Sequence, residues 1–144
     1  MLILEGRIEN GYGAARPNFE MQMPYFVETF PEIKGCYFGT INVRLDVPIK
    51  ILKPDFQTTP IKWHPQHPNM EEVFSFTRIN FQIVDGLKEN QLIEAWIYDP
   101  QHSPHHRDPF YYEVVTSKIE LSAVRHCRVY LNRSYKEDRW FIIE

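Results

Sequence analysis

Eleven prolines cut the 144-residue chain into pieces too short for long helices. Pro48, Pro54, Pro60, Pro65 and Pro68 divide the middle, and Pro100, Pro104 and Pro109 divide a later stretch. Each removes a backbone donor and holds the preceding residue away from helical geometry. Between these breaks the pattern is mostly strand-like. Ile41, Val43 and Leu45 alternate with Thr40, Asn42 and Arg44, and Ile79, Phe81 and Ile83 alternate with Arg78, Asn80 and Gln82. Leu2–Ile8, Ile49–Leu52, Val73–Val84, Leu92–Tyr98, Tyr111–Thr116, Arg128–Leu131 and Trp140–Ile143 read as strands, with Asp85-Gly86 as a hairpin turn. Helix signals are confined to Tyr25–Phe30, between Pro24 and Pro31, and to Leu121–His126. Many short strands with one or two short helices predict a mainly β chain, either a small barrel or an α+β domain. Neither an internal repeat nor a low-complexity linker interrupts residues 1–144, so one domain is expected.

At 43% hydrophobic residues, a chain of this size needs no metal or disulfide staple to build a core. Cys36 and Cys127 are too few for a disulfide framework or a four-cysteine zinc site. A formal net charge of −3 argues against a general nucleic-acid binder, which must displace counterions from phosphate, but leaves room for a small pocket that holds one nucleotide. No apolar run approaches the roughly 20 residues of a membrane helix, and the first residues carry Glu5 and Arg7 rather than an apolar signal core. The expectation is a soluble cytoplasmic domain.

Several groups of residues carry possible chemistry. Gly11-Tyr12-Gly13-Ala14-Ala15-Arg16 follows the first strand. Glycine allows close approach to the backbone, and successive amides in such a turn can cradle an anion beside the Arg16 charge. Taken alone, the same residues fit an ordinary turn. Thr40 and Asn42, two apart on a strand, put two oxygen donors on one face, a set suited to magnesium or equally to a half-buried polar surface. His64-Pro-Gln-His67, with His102, His105 and His106, has zinc-like spacing, but prolines interleave it and exposed loops are the expected home. Glu113 lies between Tyr112 and Val114 on a strand, where a carboxylate can accept hydrogen bonds from a ligand or act as a base. Arg125, Arg128, Arg133, Lys136 and Arg139 are diluted by Glu137, Asp138 and Glu144 and read as a solvated face.

The order of these segments is more specific than any one of them. A first strand leads into the glycine loop, followed by Asn18, Met23-Pro24-Tyr25-Phe26 and Gly35-Cys36-Tyr37-Phe38-Gly39-Thr40-Ile41-Asn42-Val43-Arg44-Leu45-Asp46. This resembles the archaeal-type CTP-dependent riboflavin kinase family, which has a Gly-x-Gly-x-Gly loop and a Gly-Thr-Leu-Asn-hydrophobic-x-Leu strand at a similar distance. Tyr111-Tyr112-Glu113-Val114-Val115 is similar to that family's later acidic strand.

The resemblance implies a cradle-loop (RIFT-related) β-barrel that transfers the terminal phosphoryl group of CTP to riboflavin, giving FMN and CDP. It implies that Gly11 through Arg16 contact the nucleotide, that Thr40 and Asn42 hold Mg2+, and that Glu113 contacts the flavin. Glu113 is then expected to anchor the flavin from the opposite side of the barrel mouth. The partners are small molecules. The chain departs from the family at Ala15, where the third loop glycine stands, at His105 or His106 in place of a flavin-contacting threonine, and at Lys118-Ile119-Glu120-Leu121 in place of a Leu-Arg segment. The alternatives are a barrel that binds a nucleotide or flavin without transferring phosphate, and a protein-interaction module built on exposed aromatics.

Overall fold

The computed structural model describes residues 2–10, 16–36, 40–84, 92–100, 109–117, 126–131 and 140–142. Nine strands are found among them: β1 (Leu2–Asn10), β2 (Ile41–Leu45), β3 (Ile49–Ile51), β4 (Phe56–Gln57), β5 (Phe74–Ile83), β6 (Ile93–Pro100), β7 (Tyr111–Thr116), β8 (His126–Leu131) and β9 (Trp140–Ile142). One helix, α1 (Arg16–Thr29), and one 3-10 turn at Pro31–Gly35 complete the set. Among the described residues, no helix is long and apolar enough to cross a membrane.

Six antiparallel strands close into a barrel in the order β5-β6-β7-β2-β1-β8, and β8 pairs back onto β5. Closure removes the unpaired edges that an open sheet would expose. β5 serves two neighbours along one edge. Phe56 and Gln57 of β4 pair with Phe76 and Ser75, and further along the strand Asn80–Ile83 pair with Cys127–Tyr130. The short ribbon of β3 and β9 lies apart from the barrel sheet, with Ile49 opposite Ile142.

Strand alternation divides the side chains into two cores. Leu4, Ile8, Ile41, Val43, Leu45, Ile79, Phe81, Ala95, Ile97, Val114, Cys127, Val129 and Leu131 point inward and fill the barrel. The intervening residues of β5, β6 and β7 point outward, and there Phe74, Phe76, Trp96, Tyr98 and Val115 form a second core with α1 and the 3-10 turn. The helix presents Phe19, Met23 and Phe26 to it at i, i+4 and i+7, with Phe30 just beyond the helix end. The Phe26 ring meets Phe74 and Phe76 edge-on, each at 5.0 Å between centroids. Such pairs add about 0.5–1.5 kcal/mol beyond their burial.

This aromatic layer explains the main departure from the sequence pattern. The helix was expected only after Pro24, at Tyr25–Phe30, yet it begins at Arg16 and runs through Pro24. An interior proline costs roughly 3 kcal/mol by removing one helical hydrogen bond. Pro24 lies on the exposed side, and the buried rings on the opposite face offset the loss. Pro17, in the first turn, is compatible with helix initiation. Pro31 ends the helix as expected, with Phe30 held at φ −139° and ψ 74°. β4, too short to show periodicity, was not anticipated, and the expected helix at 121–126 falls mostly outside the described residues, with His126 already in β8.

Candidate functional site

Thr40, immediately before β2, and Asn42 and Arg44 on it share its outward face, because Ile41, Val43 and Leu45 are committed to the barrel interior. Asn42 is the cross-strand partner of Glu113 on β7, and Arg44 is the partner of Tyr111. The Thr40 hydroxyl donates to Glu113 Oε1 at 3.2 Å. Thr40 is 2% exposed and Asn42 6%, so both polar side chains are buried. Asn42 Oδ1 has no hydrogen-bond partner among the described residues. A buried amide oxygen of this kind calls for a donor or a cation.

Thr40 and Asn42, which the sequence paired, and Glu113, which it singled out separately, are therefore one cluster. One part of the expectation needs correcting. Glu113 does not stand across the barrel mouth from Thr40 and Asn42. It lies beside them on the outer wall, because β2 and β7 are hydrogen-bonded neighbours.

The cluster belongs to a row that crosses five strands. Phe76 on β5 pairs with Tyr98 on β6, Tyr98 with Glu113 on β7, Glu113 with Asn42 on β2, and Asn42 with Asn10 on β1. The row passes from apolar to polar at Tyr98. Its last pairing follows a shift of register between Ile8 and Asn10, a β-bulge of the kind that re-aims a strand next to a site.

Asn10 is also the last residue of β1 before the glycine loop, and Arg16 opens α1 directly after it. Gly11, Tyr12, Gly13, Ala14 and Ala15 lie outside the described residues, as does the Arg16 side chain, but both anchors of the loop are fixed. One anchor is the strand neighbour of Asn42. The other begins the helix that covers Tyr98.

Tyr111 and Arg44 flank the cluster. The Tyr111 phenol is pushed up to about 12, first by burial and then by the nearby Glu113 and Glu9 carboxylates, so it is a neutral group at ordinary pH. The Arg44 guanidinium lies over the Phe110 ring at 5.3 Å. Neither residue, nor Tyr98, was identifiable from the linear pattern. Only the pairing of β7 with β2 and β6 brings them to Glu113.

The histidine stretch is elsewhere. The rings of His64 and His67 are 4.7 Å apart, and the Gln66 amide donates to His64 Nδ1 at 3.2 Å. His102, His105 and His106 lie outside the described residues. Among the described residues, no group of three or more His, Cys, Asp or Glu side chains is placed to hold a metal ion. Arg128 of the basic C-terminal set is tied to Glu5 at 2.8 Å across the β1–β8 ladder. Arg125, Arg133, Lys136 and Arg139 lie outside the described residues.

No protein-family model matches the chain, and no curated protein matches it.

Proposed function

We propose that this chain is a riboflavin kinase-like phosphotransferase that moves the terminal phosphoryl group of CTP to riboflavin, with its site on the outer barrel wall at Thr40, Asn42 and Glu113. The observation that carries the reading is the buried Asn42 Oδ1 without a partner, beside the Thr40 hydroxyl and next to the strand end from which the glycine loop departs. Phosphoryl transfer depends mainly on positioning and charge neutralisation, and this neighbourhood supplies groups for both.

The residues present fit Mg2+. It prefers oxygen donors and commonly keeps water and substrate phosphate in its shell, so a site with few protein ligands suits it. Thr40 Oγ1 and Asn42 Oδ1 would hold it, and the ion would neutralise charge on the phosphates. Glu113 accepts the Thr40 proton, which turns the lone pairs of that hydroxyl away from the carboxylate and fixes its rotamer. In this reading the Glu113 carboxylate accepts a hydrogen bond from a flavin hydroxyl. The glycine loop, Gly11 through Arg16, would meet the nucleotide phosphates through backbone amides.

The alternative reading is a barrel that binds nucleotide or flavin without transfer. Ala15 favours it, because a methyl group at the third glycine position restricts positive φ and crowds a phosphate.

Incubation with riboflavin, Mg2+ and either CTP or ATP, assayed for FMN, tests the reading directly. FMN formation that disappears with Asn42→Leu supports the kinase. Binding of CTP or riboflavin without FMN supports the binding barrel. Glu113→Gln separates anchor from base: loss of an anchor raises the flavin KM, whereas loss of a base lowers kcat by roughly 10²–10⁴-fold.

A further inference from the structure

Arg7 on β1 and Arg44 on β2 stand directly opposite each other as cross-strand partners, and both are exposed on the outer wall. His126 of β8 is opposite Arg7 on its other side, and Tyr111 of β7 is opposite Arg44. One row around the barrel thus reads His126, Arg7, Arg44, Tyr111, with two guanidinium groups at its centre. Like charges that face each other across a strand pair are destabilising, so this pairing opposes the fold that contains it.

The carboxylates on the same two strands do not neutralise the pair. Glu5 is tied to Arg128 at 2.8 Å, and Glu9 lies close enough to Tyr111 to raise its phenol. Among the described residues, no ion pair joins Glu5, Glu9 or Asp46 to Arg7 or Arg44. The Arg44 guanidinium lies over the Phe110 ring at 5.3 Å. Stacking of that kind orients a guanidinium and leaves its N–H donors around the edge of its plane.

The next row along β2 carries the orphaned oxygen. Asn42 is two residues from Arg44 on the same face, a rise of roughly 7 Å. Its buried Oδ1 has no partner among the described residues. An oxygen that calls for a cation therefore stands beside two guanidiniums that call for an anion. A metal-bound phosphate answers both: the metal takes the amide oxygen, and the remaining negative charge of the phosphates faces the arginines.

We propose that Arg7 and Arg44 form a phosphate-chain subsite beside Asn42, holding the polyphosphate of a magnesium nucleotide on the outer barrel wall by charge-assisted hydrogen bonds. This inference rests on the reading of Asn42 as a metal ligand, and it adds the groups that bind the phosphates.

Inorganic tripolyphosphate with Mg2+ carries this ligand chemistry without a base or a sugar, and titration calorimetry reads its Kd. The unaltered protein is expected to bind it. Arg7→Gln and Arg44→Gln are each expected to weaken binding by about tenfold or more. Arg128→Gln, which removes a nearby charge already paired with Glu5, is expected to stay within about twofold. Arg7→Gln should also melt at the same temperature as the unaltered protein or higher, because it relieves the like-charge opposition.

An unaltered protein that does not bind tripolyphosphate with Mg2+ overturns the inference, as do arginine variants that keep its affinity. Equal weakening by all three substitutions overturns it too, since that is the mark of a diffuse surface field. So does an Arg7→Gln protein that melts at a lower temperature, the behaviour of a structural contact. The FMN assay on the same proteins separates this inference from the kinase reading. Tripolyphosphate binding that depends on both arginines, without FMN from riboflavin and CTP, removes the kinase and leaves the subsite. FMN formation with a CTP KM unmoved by either substitution removes the subsite and leaves the kinase.

Discussion

The Tyr112 hydroxyl engages both backbone polar groups of Ile49: it accepts from the Ile49 amide at 2.7 Å and lies 2.9 Å from the Ile49 carbonyl. It is also 2.7 Å from the Pro109 carbonyl, so its one proton serves one of two acceptors at a time. Tyr112 starts from the inward face of β7, and its tip holds β3, with β9 paired to it, against the barrel. Tyr112→Phe keeps the ring but leaves the Ile49 amide without its acceptor. It should cost about 1–3 kcal/mol in urea denaturation, as a lower midpoint at unchanged slope.

Gly6 stands in the middle of β1 on the inward side. A Cβ there would meet the Arg44 carbonyl oxygen and Leu45 Cδ2, each at 2.9 Å, with Val43 Cγ1 at 3.3 Å. The backbone oxygen cannot move without disturbing the β1–β2 ladder. Gly6→Ala is expected to destabilise the barrel by about 1–3 kcal/mol despite alanine's better strand entropy. Because β2 carries Asn42 and follows directly on Thr40, the variant should also weaken CTP binding at the proposed site, which a parallel titration reads.

Phe26 is fully buried where α1, β5 and β6 meet, against Phe19, Phe74, Phe76 and Tyr98. Phe26→Ala should cost about 3–5 kcal/mol, from lost transfer energy together with the cavity left among rings that cannot collapse into it. Far-UV circular dichroism during urea denaturation gives the value. A cost below about 1 kcal/mol would contradict the packing described for the outer core.

Tyr111 predicts a signature in alkali. Its phenol is raised from 10.0 to about 12 in the folded chain, so the fold holds that proton more tightly than the unfolded chain does. The resulting stability is fully present below pH 10 and is lost as pH rises from 10 towards 12. Denaturation of the unaltered protein and of Tyr111→Phe across that range should show the unaltered protein losing stability relative to the variant. A constant difference would mean that Tyr111 titrates alike in both states.

The period of two on β2 made Thr40 and Asn42 readable as a pair, and the same period committed Ile41 and Val43 to the core. Tyr111–Thr116 was legible for the same reason. The meeting of Thr40 with Glu113 was not, because they are 73 residues apart and only strand order and register bring them together. Local patterning carries no information about which strand lies next to which. Pro24 misled in the opposite direction. Its local effect is to break a helix, but the aromatic layer beneath it is a tertiary interaction that no window of neighbouring residues contains.

The seam between β5 and β8 has a consequence for how the chain is made. β1 is made before the other strands, yet one of its two ladders waits for residues 126–131, and the β5 edge at Asn80–Ile83 waits for the same strand. Until β8 has left the exit tunnel, both edges are unpaired and open to another nascent chain. α1 and the β5–β6 pair need no such delay: their aromatic layer uses residues already made. The helix side can thus assemble during translation, while barrel closure is reserved for a late strand. Slowing synthesis across residues 101–125 would prolong the interval in which two copies can exchange strands.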